Sequence, residues 1–128
     1  MRDAAPQTIY LEDYTAFGWQ VESVALHFTL DPHQTRVRSR ITFTPNPQAP
    51  AQPFFLHGEA LKLISAKIDD QNVDVTLTPE GLTCPVPDVP FVWETEVEID
   101  PAGNTALEGL YMSNGMYCTQ CEAEGFRK

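Results

Sequence analysis

The chain has 128 residues, enough for one domain with a sizeable core and too few for two. Eighteen acidic against eight basic side chains give a formal charge of −10, which repels phosphate backbones and anionic lipid, so neither nucleic acid nor a membrane is an expected partner. Apolar residues at 42% and aromatic residues at 10% exclude a disordered tail, and no apolar run reaches the roughly eighteen residues of a membrane span.

The opening MRDAAPQTIYLEDY carries one arginine with no apolar stretch behind it, unlike a secretory signal. Three cysteines are an odd number, which argues against a secreted disulfide framework and for a reducing, cytoplasmic location.

From there the pattern has period two. Val24, Leu26, Phe28 and Leu30 form one apolar row. Asp31-Pro32-His33-Gln34 is turn chemistry, and Val37, Ser39, Ile41 and Phe43 then alternate with Arg36, Arg38, Arg40 and Thr42. This predicts an antiparallel hairpin with one buried and one basic face. The arginine row is expected to be the wet side of a sheet, paired with acidic neighbours, rather than an anion site. Prolines make residues 45–53 a loop, Phe54 to His57 reads as a short buried strand, and Leu61 to Asp69 as another. A turn is expected at Asp70-Gln71-Asn72, a return strand on Val73, Val75 and Leu77, and a turn at Pro79-Glu80-Gly81 before Leu82-Thr83-Cys84. Phe91, Trp93, Thr95, Val97 and Ile99 alternate with Val92, Glu94, Glu96 and Glu98, an acidic row that could face the arginines. No apolar stripe of helical period stands out. Short strands with a turn every eight to twelve residues predict an all-β antiparallel sandwich. From Pro101 the alternation weakens and glycines recur at 103, 109, 115 and 125.

The chemistry-bearing residues are sparse. Cys118-x-x-Cys121 supplies half of a zinc site at most, because Cys84, His27, His33 and His57 are single and scattered. A redox pair would need a strand before the first cysteine and a helix opening at it, and neither is apparent. Two packed small side chains are the expected role. None of the histidines has a nucleophile or carboxylate at a catalytic spacing, and no catalytic or phosphate-binding motif is present. The chain alone is therefore expected to hold no catalytic residue, metal or cofactor. Glu122 and Glu124 follow the cysteines, and a carboxylate there could receive a cation through a short charge-assisted hydrogen bond.

Residues 104–128, NTALEGLYMSNGMYCTQCEAEGFRK, resemble a segment of bacterial aminopeptidase N, the zinc metallopeptidase family of the alanyl aminopeptidase type. The likeness continues upstream through LHGEALKLISAKID and, more loosely, VESVALHFTLDPHQTRVRS. The resemblance implies an N-terminal β-sandwich domain packed on a separate catalytic domain, in an enzyme that removes single residues from peptide N-termini. It implies that Glu122 binds the substrate's free α-ammonium and that Gln120 lines the first side-chain pocket. The family's His-Glu-x-x-His zinc motif and Gly-x-Met-Glu-Asn motif are both absent from these residues. The 128 residues are thus expected to be an incomplete N-terminal domain, inactive alone, whose zinc lies in the full-length enzyme and whose partners are its own catalytic domain and peptide substrates. An uncapped sheet edge should self-associate, or leave a disordered tail from about Cys118. The alternative is a free-standing β-sandwich binding module, which a stop codon after Lys128 would favour.

Overall fold

The computed structural model describes residues 7–122. A turn of 3-10 helix, Leu11–Asp13, precedes ten strands: β1 (Trp19–Thr29), β2 (Thr35–Pro45), β3 (Phe55–His57), β4 (Lys62–Ile68), β5 (Gln71–Asn72), β6 (Thr76–Thr78), β7 (Gly81–Thr83), β8 (Phe91–Ile99), β9 (Gly109–Ser113) and β10 (Met116–Gln120). Every pairing among them is antiparallel. They form a five-stranded sheet in the order β1-β2-β8-β4-β5, a three-stranded sheet β3-β7-β6, and a two-stranded hairpin of β9 and β10.

The five-stranded sheet owes its two faces to the alternation. Cross-strand partners share a face, so Phe43 lies beside Phe91, and Ile41 beside Trp93 and Ile68. The small sheet packs over these residues, and the buried core is Phe43, Phe54, Ala66, Ile68, Cys84, Phe91 and Trp93, with Leu56 and Leu82 against it. Phe54 is the hub. Its ring lies 5.1 Å from Trp19, 5.2 Å from Phe43, 5.4 Å from Trp93 and 5.6 Å from Phe91, each an edge-on contact, the geometry that ring quadrupoles favour. The antiparallel sandwich is therefore present, with its core at one end of the large sheet.

The other face carries the charges. Arg36 stands opposite Glu98, Arg38 opposite Glu96, and Arg40 opposite Glu94, with Lys62 and Lys67 on the far side of the same glutamates. Ion pairs run from Arg36 Nε to Glu98 Oε1 at 3.3 Å, from Arg40 Nη1 to Glu94 Oε1 at 3.2 Å, and from Lys62 Nζ to Glu98 Oε2 at 3.9 Å. The expected match of arginine and glutamate rows is thus realised, and every lysine and arginine of the described residues lies on this face. Such exposed pairs contribute little stability each. Their effect is on register, because a one-residue slip would put arginine beside an apolar side chain.

Three expectations need correction. The hairpin of β1 and β2 does not bury its whole apolar face: Val24, Leu26 and Phe28 remain 55%, 54% and 46% exposed. The small sheet is too short to reach them. The turn expected at residues 70–72 and the return strand expected on 73–77 are not found as such. Asp69 and Asp70 make the tight turn with φ of 48° and 66°, β5 pairs for two residues, and the chain then crosses to the other layer to form β6. Finally, residues 109–120 form a regular hairpin despite their weak alternation, and order extends through Cys118 to Gln120. Residues 123–128, including Glu124, lie outside the described residues.

Candidate functional site

The segment that carries the expected site residues begins where β8 ends. Asp100 Oδ1 accepts the Gly103 N–H at 2.9 Å and lies 3.0 Å from His33 Nδ1, while Ala102 N–H donates to Pro32 O at 2.7 Å. These contacts fasten the segment to the β1–β2 turn. That turn is itself ordered by Asp31, whose carboxylate accepts the His33 and Gln34 N–H groups at 2.9 Å each. The bonds from His33 and then Gln34 hold the Asp31 carboxyl below its ordinary range. Sequence spacing did not disclose the His33–Asp100 pair, whose members are 67 residues apart.

Asn104 organises the next loop. Its Nδ2 donates to Glu108 O at 2.7 Å and to Leu110 O at 2.9 Å, and its Oδ1 accepts the Ala106 N–H at 3.2 Å. Leu107 and Gly109 take positive φ of 58° and 72° within this wrap. The chain then enters β9, reverses at Asn114-Gly115 with φ of 51° and 77°, and returns as β10. Two successive left-handed residues of the Asn-Gly kind match the right-handed twist of the strands they join. That dipeptide was the signal by which this hairpin could have been found in the sequence.

Within the hairpin Cys118 pairs with Tyr111 and Gln120 with Gly109. Gln120 is the last strand residue, and Glu122 follows in a turn. Gln120 Oε1 accepts the Glu122 N–H at 2.8 Å, so the two expected site residues are in direct contact. Glu122 is exposed, and no described cation pairs with it. A groove of about 400 Å³ touches the hairpin base and is lined by His57, Leu61, Asp100, Asn104 and Glu108 among others, but neither Gln120 nor Glu122 lines it. It is therefore not the expected site.

Among the described residues the candidate zinc donors are not gathered at one place. Cys84 is buried in the core, Cys118 and Cys121 are half-buried and unpaired, and His27, His33 and His57 lie on separate elements. Among the described residues no group of three or more His, Cys, Asp or Glu converges.

No protein-family model matches the chain. It is 44% identical over 130 aligned residues, 99% of its length, to aminopeptidase N of Caulobacter vibrioides, and covers 15% of that protein. It is 41% identical to aminopeptidase N of Escherichia coli over 95% of its length, and 37% identical to that of Haemophilus influenzae over 93%. In each case it spans 14% of the relative. Among solved structures, aminopeptidase A of Legionella pneumophila, crystallised in complex with aspartic acid, matches with a TM-score of 0.79 and 28% identity, over 91% of this chain and 14% of that one. The sequence along nearly its whole length, and the fold with it, place this chain in the aminopeptidase N family, as the counterpart of one segment of those longer proteins.

Proposed function

We propose that this chain is the N-terminal β-sandwich portion of a cytoplasmic zinc aminopeptidase, which packs on a separate catalytic domain and presents Glu122 to the free α-ammonium of a peptide substrate. The observation that carries this is the 37–44% identity to aminopeptidases N over 93–99% of the chain. Three unpaired thiols support a reducing compartment. The zinc belongs to the remainder of the enzyme, where it supplies Lewis-acid and water-activating chemistry.

The part played by this chain is recognition. An exopeptidase must separate a terminal ammonium from an internal amide, and a carboxylate does this by charge, provided that water is excluded around it. Glu122 is exposed here, so the catalytic domain has to supply that exclusion. Truncating one member of a desolvated charge pair costs about 2–5 kcal/mol. In the full-length enzyme, Glu122→Gln should therefore lower kcat/KM for aminoacyl anilides by roughly 30-fold or more, largely through KM. Residues 1–128 alone should show neither turnover nor one zinc per chain. A Glu122→Gln enzyme with unchanged kinetics would overturn the amine-binding role.

A further inference from the structure

The described basic side chains are gathered on one face of the large sheet, and the groove at the base of the hairpin has the opposite character. Its volume is about 400 Å³. Leu61, Ile99 and Leu110 give it an apolar lining, Glu59, Asp100 and Glu108 contribute carboxylates, and no lysine or arginine of the described residues lines it. We propose that this groove is a distal substrate subsite, which receives the third and fourth residues of a peptide when one is apolar and its neighbour is lysine or arginine. This rests on Glu122 being the amine-binding residue, and extends that reading to the part of the peptide that Glu122 does not touch.

Charge and shape select the same occupant. An apolar cleft of this size gains by releasing water to an aliphatic side chain. Carboxylates beside it then favour a cation over an anion, and the formal charge of −10 adds to that preference. Asp100 already accepts the Gly103 N–H and faces His33, and Lys62, next to Leu61 in the chain, is engaged with Glu98 at 3.9 Å. The Glu108 carboxylate has no ion pair among the described residues, so it carries the selection. Both walls are set in advance. On one side the Gly58 N–H donates to Glu80 O at 3.0 Å. On the other, Asn104 donates to Glu108 O and Leu110 O and accepts the Ala106 N–H. A preformed groove has little ordering to do on binding. The distances agree. Gly109 lines the groove and is the register partner of Gln120, a Cα separation of about 5 Å. Glu122 stands two residues further on, at most about 7 Å away. An extended peptide rises about 3.3 Å per residue, which puts its third and fourth residues about 7–10 Å from the amino end. The groove and Glu122 thus flank the same end of the hairpin, within the span of one short peptide.

The test uses the full-length enzyme with alanine anilide, which ends before the groove, and three tetrapeptides: Ala-Ala-Leu-Arg, Ala-Ala-Leu-Glu and Ala-Ala-Ser-Arg. Glu108→Gln removes the charge, Glu108→Lys inverts it, and Leu61→Ser removes apolar lining at a position 52% exposed. In the parent enzyme the KM of Ala-Ala-Leu-Arg should lie about two- to fivefold below that of Ala-Ala-Leu-Glu, the range of an exposed charge pair. It should also lie below that of Ala-Ala-Ser-Arg. Glu108→Gln should level the two leucine peptides, and Glu108→Lys should reverse their order. Leu61→Ser should raise KM for the leucine peptides and leave Ala-Ala-Ser-Arg nearly unchanged. The anilide should keep its parent kcat and KM in all three variants. Equal KM for the three tetrapeptides in the parent, or variants that shift the anilide as much as the peptides, overturns the proposal. So does a Glu108→Lys enzyme that melts lower than the parent and keeps the peptide order, the result expected if the catalytic domain fills the groove. Glu122→Gln, run on the anilide, separates the failures. If it is silent, the amine-binding role is gone and this inference with it; if it is impaired while Glu108→Lys leaves the peptide order unchanged, Glu122 keeps its role and the groove loses this one. Leu61 and Glu108 lie outside the buried core, so melting temperatures near the parent's are expected for Leu61→Ser and Glu108→Gln and confirm folding.

Discussion

The three cysteines carry the same thiol, yet their positions give them different chemistry. Cys84 is 5% exposed within the aromatic core, and its Sγ–H donates to Pro85 O at 3.3 Å. Burial first, and then the negative charge of Asp74, push this thiol above its ordinary range. Cys118 and Cys121 sit on or beside the hairpin and are only half-buried. A disulfide reagent at neutral pH should therefore label two thiols quickly and the third only on unfolding; three equal rates would contradict this placement. The sign of the linkage follows. The fold favours the protonated thiol, so that contribution is complete below the ordinary thiol range and is lost as the pH climbs through the raised pKa. None of this separates the cysteines by spacing, which draws attention to the pair that has less part in the core.

At the scale of elements, the strands written with strict alternation were legible, and those written without it were not. Residues 91–99 alternate without a break and form β8 over that range. Residues 109–120 mix small and large side chains: β9 is half-buried from Gly109 to Met112 with no alternation, and β10 is mostly exposed, so no two-faced burial pattern marks the hairpin. Their structure rests on the turn instead. Gly115 has a φ of 77° with open space around a would-be Cβ, so Gly115→Ala meets no clash and only the strain of a left-handed alanine. That costs about 1–2 kcal/mol. Because the hairpin is separate from the core, the expected outcome is local. Amide exchange should quicken across residues 110–120 while the global melting temperature barely moves. A large drop in melting temperature would show that the hairpin is structurally coupled to the sandwich.

At the scale of the molecule, the large sheet leaves the apolar row of its outer strand β1 uncovered among the described residues. Phe28, Val37, Val97 and Leu63 form one apolar row across four strands, half-buried on the inner strands and open on β1, where Phe28 is 46% exposed. β1, the long outer strand, also has an unpaired edge among those residues. A face and an edge left open together favour association with another apolar surface. Residues 1–128 should bind a hydrophobic dye and self-associate as concentration rises. Leu26→Lys, at a position 54% exposed, should abolish association without lowering the melting temperature. A wild-type chain that sediments as a monomer and leaves the dye dark would refute this.

What the sequence determined by itself was the class of fold, the boundaries of its strongest strands and the pairing of arginine with glutamate rows. Each follows from a period of two that any sheet must obey. The likeness to aminopeptidases N was equally a property of the sequence, carried by residues 104–128. Only the tertiary structure decided the strand order, the exposure of β1's apolar row, and the contact of His33 with Asp100. It also decided the engagement of Gln120 with the Glu122 backbone. These depend on which segments meet across long loops, and on where a side chain's hydrogen bonds go once the backbone is placed. Alternation describes one strand at a time and carries no information about either.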